Sequence, residues 1–189
     1  MKKTIGYCLT GSFCTFSKSI EQIEKLSDSG YNIIPILSFN SQSTDSRFGE
    51  AAQFKEKIEN ITGNKALCSI AEVEPIGPKK LLDLLVISPC TGNTLGKLAN
   101  GIYDTPVTLA AKSHIRNERP VLIGVSTNDA LRGSAKNIGL LLNSRHFYFI
   151  PARQDDCEKK PFSVVCDFEK TGEAVRLALC GKQIQPMLL

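Results

Sequence analysis

The stretch LLDLLVISPCTGNTLGKLANGIYD, residues 81–104, indicates the architecture of this chain. The run at 81–87 is almost wholly apolar, which is typical of a strand buried on both faces of a parallel sheet. Leu95, Leu98 and Ile102 then recur at helical spacing, so we predict a strand, a polar turn and a helix. Such a turn presents free backbone N–H groups and the positive end of a helix dipole, which favour the binding of a phosphate.

The same alternation of strand and helix patterns extends along the whole chain. Strands are expected at 4–9, 33–39, 81–88, 121–125 and 147–150, and helical patterns at 16–30, 48–61, 105–116, 129–142 and 168–180. No linker or repeat divides the chain, so residues 1–189 are expected to form a single α/β domain. Right-handed crossovers would bring the carboxyl ends of all strands to one edge, where ligands of such sheets bind.

Composition excludes several classes of function. The 189 residues are 42% hydrophobic and 22% charged, and the net charge of +4 is scattered without a basic run of five, so no nucleic-acid partner is expected. No apolar run approaches the ~18 residues of a spanning helix, so no membrane association is expected. Thr10, Gly11 and Ser12 interrupt the first apolar stretch, which we interpret as a strand and turn rather than a secretion signal.

Cysteine usage points to a reducing compartment. The seven cysteines form no CxxC pair, which favours free thiols in a cytoplasmic protein over a disulfide framework or a metal site.

Four loops at the predicted strand ends share small hydroxyl and amide residues. They are TGSF at 10–13, SFN at 38–40, PCTGNT at 89–94 and STN at 126–128. One such loop alone is better explained by helix capping. Four at one edge indicate a polar ligand with an anionic group. The first loop lacks both the GxGxxG and the GxxxxGK[ST] spacing, so neither a standard NAD site nor an ATP P-loop is predicted.

These motifs resemble a known family. PCTGNT followed by LGKLANGIYD is similar to the PASANT-type loop and helix of the flavin-containing cysteine decarboxylase superfamily. With TGSFCTF, FNSQSTDSRFGEA, STNDAL and FYFIPARQDD, roughly residues 5–188 resemble the family of dipicolinate synthase B subunits. The resemblance implies a three-layer, Rossmann-like (flavodoxin-like) α/β fold with a mostly parallel sheet. It also implies a cytoplasmic protein of the mother cell of a spore-forming bacterium.

The resemblance also implies a cofactor, partners and a site. The expected cofactor is FMN, and the expected role is oxidation of dihydrodipicolinate to dipicolinate together with the A subunit of dipicolinate synthase. Relatives form trimers and larger shells, so a homo-oligomer with threefold symmetry is expected. The cofactor-binding residues carried over are Gly11, Ser12, Phe13, Ser38, Pro89, Thr91, Gly92, Asn93, Thr94, Ser126, Thr127 and Asn128. Among these, Phe13, Pro89 and residues 126–128 would border the isoalloxazine ring, and the rest would contact the phosphate.

The chain departs from its decarboxylating relatives. Those relatives use a His shortly after the second strand, but this chain has only His114 and His146, for which structural or solvent roles are expected. Of their Pro-x-Met-Asn signature, residues 126–129 keep only an Asn. A flavin-dependent decarboxylase or prenyltransferase-like enzyme is therefore a less favoured alternative, and no catalytic residue is assigned.

A dicarboxylate substrate requires cationic donors, preferably Arg. Arg47, the only cation in the loop 40–49, is the predicted substrate-binding residue, and Arg132 comes next; a solvated surface role is the alternative for both.

Cys90 has no His or Lys neighbour in sequence and is interpreted as a small buried filler. A second hypothesis remains open, in which the chain is a non-catalytic assembly protein with a degenerate nucleotide pocket.

Overall fold

Five parallel strands form the centre of the sheet in the computed structural model, which describes residues 2–189. They are β1 (Thr4–Leu9), β2 (Asn32–Leu37), β3 (Leu84–Cys90), β4 (Val121–Thr127) and β5 (Phe147–Phe149). Their order is β2-β1-β3-β4-β5, with every neighbouring pair parallel. This is the flavodoxin-like order, so the predicted fold class is confirmed.

Helices cover both faces of the sheet. They are α1 (Phe16–Asp28), α2 (Phe39–Ser43), α3 (Ala51–Thr62), α4 (Ile70–Val73), α5 (Gly92–Ala99), α6 (Pro106–Ile115), α7 (Ala135–Leu142) and α8 (Thr171–Leu179). Apolar residues of α1, α3 and α8 pack on one face, and those of α4 to α7 pack on the other. Among residues 2–189, no helix combines the length and the apolar character needed to cross a lipid bilayer.

Burial on both sides explains the apolar run only from Leu84, where β3 begins, because Leu81 precedes the strand and is 40% exposed. Leu84 and Val86 belong to the core beneath α1 and α8, whereas Leu85 and Ile87 belong to the core beneath α5 and α6. Successive side chains of a strand point to opposite faces, so a strand covered on both faces favours apolar residues throughout, and Ser88 of β3 is fully buried with its Oγ 3.8 Å from Cys166 Sγ. β3 is therefore the central strand, as the sequence predicts.

A β-hairpin at the end of the chain was not predicted. β6 (Ala152–Asp156) and β7 (Lys160–Cys166) pair with each other in antiparallel fashion, and β7 continues the sheet beside β4. The strand at 147–150 is therefore not the last. β6 reads ARQDD, a charged and mostly exposed strand at the edge of the sheet, where hydrophobic alternation is not required.

Two helices begin later than their sequence patterns predict. The pattern at 48–61 becomes a helix only from Ala51, whose N–H donates to Asp45 Oδ1 at 2.9 Å after a turn at 46–49. The pattern at 129–142 becomes a helix only from Ala135, because the Asp129 carboxylate accepts hydrogen bonds from Ser134 Oγ and holds residues 129–134 in turns.

Candidate functional site

A cleft of about 940 Å³ lies at the carboxyl ends of β1, β3 and β4. In the order β2-β1-β3-β4-β5, the chain leaves β1 toward one edge of the sheet and β3 toward the other. The loops after these two neighbouring strands therefore separate and leave a crevice, which is where open α/β sheets bind ligands.

Nine of the twelve predicted cofactor-binding residues line this cleft. They are Gly11, Ser12, Phe13, Thr91, Gly92, Asn93, Ser126, Thr127 and Asn128. The other three lie behind it. Ser38 Oγ accepts the Ser41 N–H at 3.2 Å and so caps α2, Pro89 is buried within β3, and Thr94 is buried with its Oγ1 3.3 Å from Thr91 Oγ1.

The start of α5 forms one end of the cleft. Thr91 is the N-cap residue, but no side chain accepts a hydrogen bond from the first turn, since Thr91 Oγ1 lies against Thr94 Oγ1 instead. Gly92 and Asn93, the first two helical residues, both border the cleft. The first turn of α5 thus offers N–H donors and the positive end of its dipole to a ligand.

Gly92 is required at this turn by close packing. A Cβ atom there would lie 2.7 Å from Asp129 Oδ1, 2.7 Å from Ser134 Oγ and 2.9 Å from Thr127 Oγ1. The Asp129 carboxylate is itself held by these hydroxyls, because Thr127 Oγ1 donates to it at 2.7 Å and Ser134 Oγ at 2.9 Å. The backbone of α5 and the loop after β4 therefore meet with no space for a side chain.

The hairpin forms the opposite wall of the cleft. Val165 pairs with Ser126 and Val164 with Thr127, the last residue of β4. Because β7 is antiparallel to β4, its earlier residues extend beyond the carboxyl edge of the parallel strands. Ser163 and Lys160 consequently reach the cleft, as does Asp155 from β6.

The cleft contains two lysines that the sequence patterns did not single out. Lys18 comes from α1, and Lys160 comes from the hairpin, where its Nζ donates to Asp155 Oδ2 at 2.7 Å. That hydrogen bond is the main cause that raises the pKa of Lys160, with smaller contributions from Cys14 and Asp156. The sequence contains a signal for Lys18, because this residue lies in the first turn of a predicted helix that begins at the ligand-binding edge of the sheet. Lys160 gave no such signal, because the hairpin itself was not predicted.

The two predicted arginines lie outside the lining of the cleft. The Arg47 guanidinium is 4.9 Å from the centre of the Phe48 ring, and only Phe48 borders the cleft. The Arg132 guanidinium is 3.7 Å from the centre of the Phe162 ring. Neither arginine is therefore among the residues that line the cleft, and each side chain instead covers an aromatic ring at the surface.

Cys90 and the two histidines also lie away from the cleft. Cys90 is fully buried, and this burial raises the pKa of its thiol. His114 is buried on α6, where its Nε2 donates to the Pro120 carbonyl at 3.0 Å, and His146 immediately precedes β5 at the opposite edge of the sheet. None of the three borders the cleft.

Known proteins resemble this chain in both sequence and structure. The family model described as Flavoprotein matches residues 1–171. The dipicolinate synthase B subunit of Bacillus subtilis (strain 168) is 46% identical over 187 residues, which are 99% of this chain and 94% of that protein. The crystal structure of the dipicolinate synthase B subunit from Bacillus halodurans C matches with a TM-score of 0.91 and 41% identity, over 100% of this chain and 98% of the other. An FMN-dependent cysteine decarboxylase of thioviridamide biosynthesis shares the fold, with a TM-score of 0.58 and 24% identity over 75% of this chain and 86% of its own.

Proposed function

We propose that this chain, which belongs to the Flavoprotein family and within it to the dipicolinate synthase B subunits, binds FMN in the cleft and acts with the A subunit to oxidise dihydrodipicolinate to dipicolinate. The observation that carries the proposal is the start of α5, which no side chain caps and which opens into the cleft. Family membership supports a flavin, and the FMN-dependent structural neighbour supports FMN in particular.

The residues of the cleft have the chemistry that a flavin mononucleotide requires. Backbone N–H groups at the start of α5, together with the hydroxyls of Ser12 and Thr91, suit a phosphate group. Phe13 offers an apolar aromatic surface to a flat ring. The volume of about 940 Å³ falls within the ~300–1,000 Å³ of typical ligand sites.

In this proposal the residues of this chain bind the flavin, orient its ring system and enclose it. The start of α5 and Ser12 would fix the phosphate end, and Phe13, Ser126 and Asn128 would border the ring system. Val164 and Val165 would each add apolar surface to the wall of the cleft. Bound FMN would supply an acceptor for the hydride that leaves a dihydropyridine ring.

One feature favours a second candidate function, that of an assembly protein with a degenerate pocket. Asp129 Oδ1 lies only 2.7 Å from the position of a Cβ on Gly92, so a carboxylate stands beside the turn where a phosphate would bind. Two negative groups at such a separation repel each other. In this case the redox chemistry would belong to the A subunit.

Titration of the purified protein with FMN, followed by quenching of flavin fluorescence, separates the two candidates. The proposal expects saturable binding and a yellow protein. Dihydrodipicolinate oxidation is then assayed with the two proteins separately and combined, and activity is expected only when FMN-loaded protein is mixed with the A subunit. Absence of FMN binding would overturn the proposal, and full activity of FMN-free protein in that mixture would favour the assembly role.

A further inference from the structure

Lys18 and Lys160 are the only basic side chains that border the cleft among residues 2–189. Neither lysine comes from α5, whose first turn forms the end of the cleft proposed to bind phosphate. Lys18 comes from α1 and Lys160 comes from the hairpin. Cys14, in the segment leading into α1, borders the same cleft as Lys160 of the hairpin. The cleft therefore has a second polar end, which carries cations on side chains rather than free backbone N–H groups.

We propose that Lys18 and Lys160 bind the carboxylates of a planar aromatic dicarboxylate, and that Lys160 makes the cleft select a dicarboxylate over a monocarboxylate. This inference rests on the proposed function and names the residues that hold the aromatic product of that oxidation and, through the same two carboxylates, its dihydro precursor. It replaces Arg47, whose guanidinium lies over the Phe48 ring and does not border the cleft.

Lys160 is oriented and retains free donors. An ammonium group has three N–H donors, and the hydrogen bond to Asp155 Oδ2 at 2.7 Å uses one of them. The other two donors are free to meet a carboxylate of the ligand. Ser163 and Val165 follow on the same strand, share one of its faces and would lie beside the ring.

The two acidic side chains of the cleft have different consequences for such a ligand. Asp129 already accepts hydrogen bonds from Thr127 and Ser134 at the α5 end. Asp155 instead competes with the ligand for Lys160, because both present a carboxylate to one ammonium group. Neutralising Asp155 is therefore expected to strengthen dicarboxylate binding, whereas removing Lys160 is expected to weaken it.

The test uses the opposite directions in which these two substitutions are expected to change the affinity for the dicarboxylate. Affinity for pyridine-2,6-dicarboxylate and for pyridine-2-carboxylate is measured by calorimetry on FMN-loaded wild type and on the K18M, K160M, K160R and D155N variants. K159M is the matched control, because Lys159 is exposed at the tip of the same hairpin and does not border the cleft. FMN affinity is recorded for each preparation, so that failure of the cofactor site is seen separately.

K160M loses one charge-assisted hydrogen bond to the dicarboxylate, so we expect its affinity for the dicarboxylate to fall roughly tenfold to hundredfold. We expect a loss of similar size in K18M. K160R is expected to keep most of the affinity, D155N to exceed wild type, and K159M to match it. In K160M, the affinity for the monocarboxylate should decrease by a smaller factor than the affinity for the dicarboxylate. Equal weakening in D155N and K160M would reduce the pair to a structural salt bridge and overturn the inference, as would undiminished dicarboxylate binding in K160M.

Discussion

The hydroxyl of Thr10 accepts the N–H of Thr91 at 3.0 Å, so one buried side chain joins the ends of the two central strands. The same Oγ1 donates to the Pro89 carbonyl at 2.8 Å, and Thr10 is only 1% exposed. The loop after β1 and the first turn of α5 are thereby held at a fixed separation across the topological switch point.

Replacing Thr10 by Val keeps the shape of the side chain but removes both hydrogen bonds and leaves the Thr91 N–H and the Pro89 carbonyl without this partner. We expect the free energy of unfolding to fall by about 1–3 kcal/mol and FMN binding to weaken. Chemical denaturation and FMN titration measure the two effects. Thr10→Ser retains the hydroxyl and serves as the control; equal stability and FMN affinity in Thr10→Val and wild type would contradict this role for Thr10.

Two glycines of α5 should respond in opposite ways to the same change. Gly92→Ala would place a methyl group 2.7 Å from Asp129 Oδ1, so we expect a loss of about 1–3 kcal/mol in stability and weaker FMN binding. At Gly96 the nearest atom to an added Cβ is Asn137 Nδ2 at 3.5 Å. Gly96→Ala is therefore expected to be neutral or to stabilise by about 0.5–1 kcal/mol. Thermal melting of both variants tests this contrast.

Asn93→Asp adds a negative charge to the first turn of α5. The charge should repel a bound phosphate and weaken FMN binding by about 2 kcal/mol, or roughly 30-fold. The same charge interacts favourably with the helix dipole, so stability should not decrease. Calorimetric titration and a denaturation curve measure the two quantities, with Asn93→Ser as the uncharged control. Unchanged FMN affinity would place the phosphate elsewhere.

Stability should depend on pH through His114. Burial is the main cause that lowers its pKa from 6.5 to about 4, so the unfolded chain binds a proton there over a range in which the folded protein does not. The free energy of unfolding should therefore fall as the pH is lowered from 6.5 toward 4, by about 2 kcal/mol between pH 7 and pH 5. Denaturation at these two pH values is compared with His114→Gln, whose side chain does not titrate. An equal pH dependence in wild type and variant would refute the contribution of His114.

The expected homo-oligomer remains a prediction. The segment between α5 and α6 exposes Ile102 to 46%, which leaves an apolar side chain free for a contact between copies of the chain. We expect light scattering at micromolar concentration to show an assembly with threefold symmetry, and Ile102→Asp to dissociate it. Leu81→Asp, at a similarly exposed position just before β3, is the control. A monomeric wild type would refute the assembly.

Local sequence pattern was sufficient to predict the parallel part of the fold and the location of the cleft. The run at 81–87 predicts a strand covered on both faces, and TGNT with the helical spacing after it predicts the start of α5. These features depend on local periodicity and on burial, both of which can be read within a short window. The predicted family resemblance rests on the same segments and is confirmed.

The charged side chains that reach the cleft could be identified only from the folded chain. β6 is a charged edge strand with no hydrophobic alternation, so neither the hairpin nor the position of Lys160 could be read from local pattern. Arg47 follows β2 as predicted, but its long side chain covers the Phe48 ring rather than the cleft. A strand register fixes where a backbone goes, whereas the position of a long flexible side chain depends on which side chains the folded chain places around it.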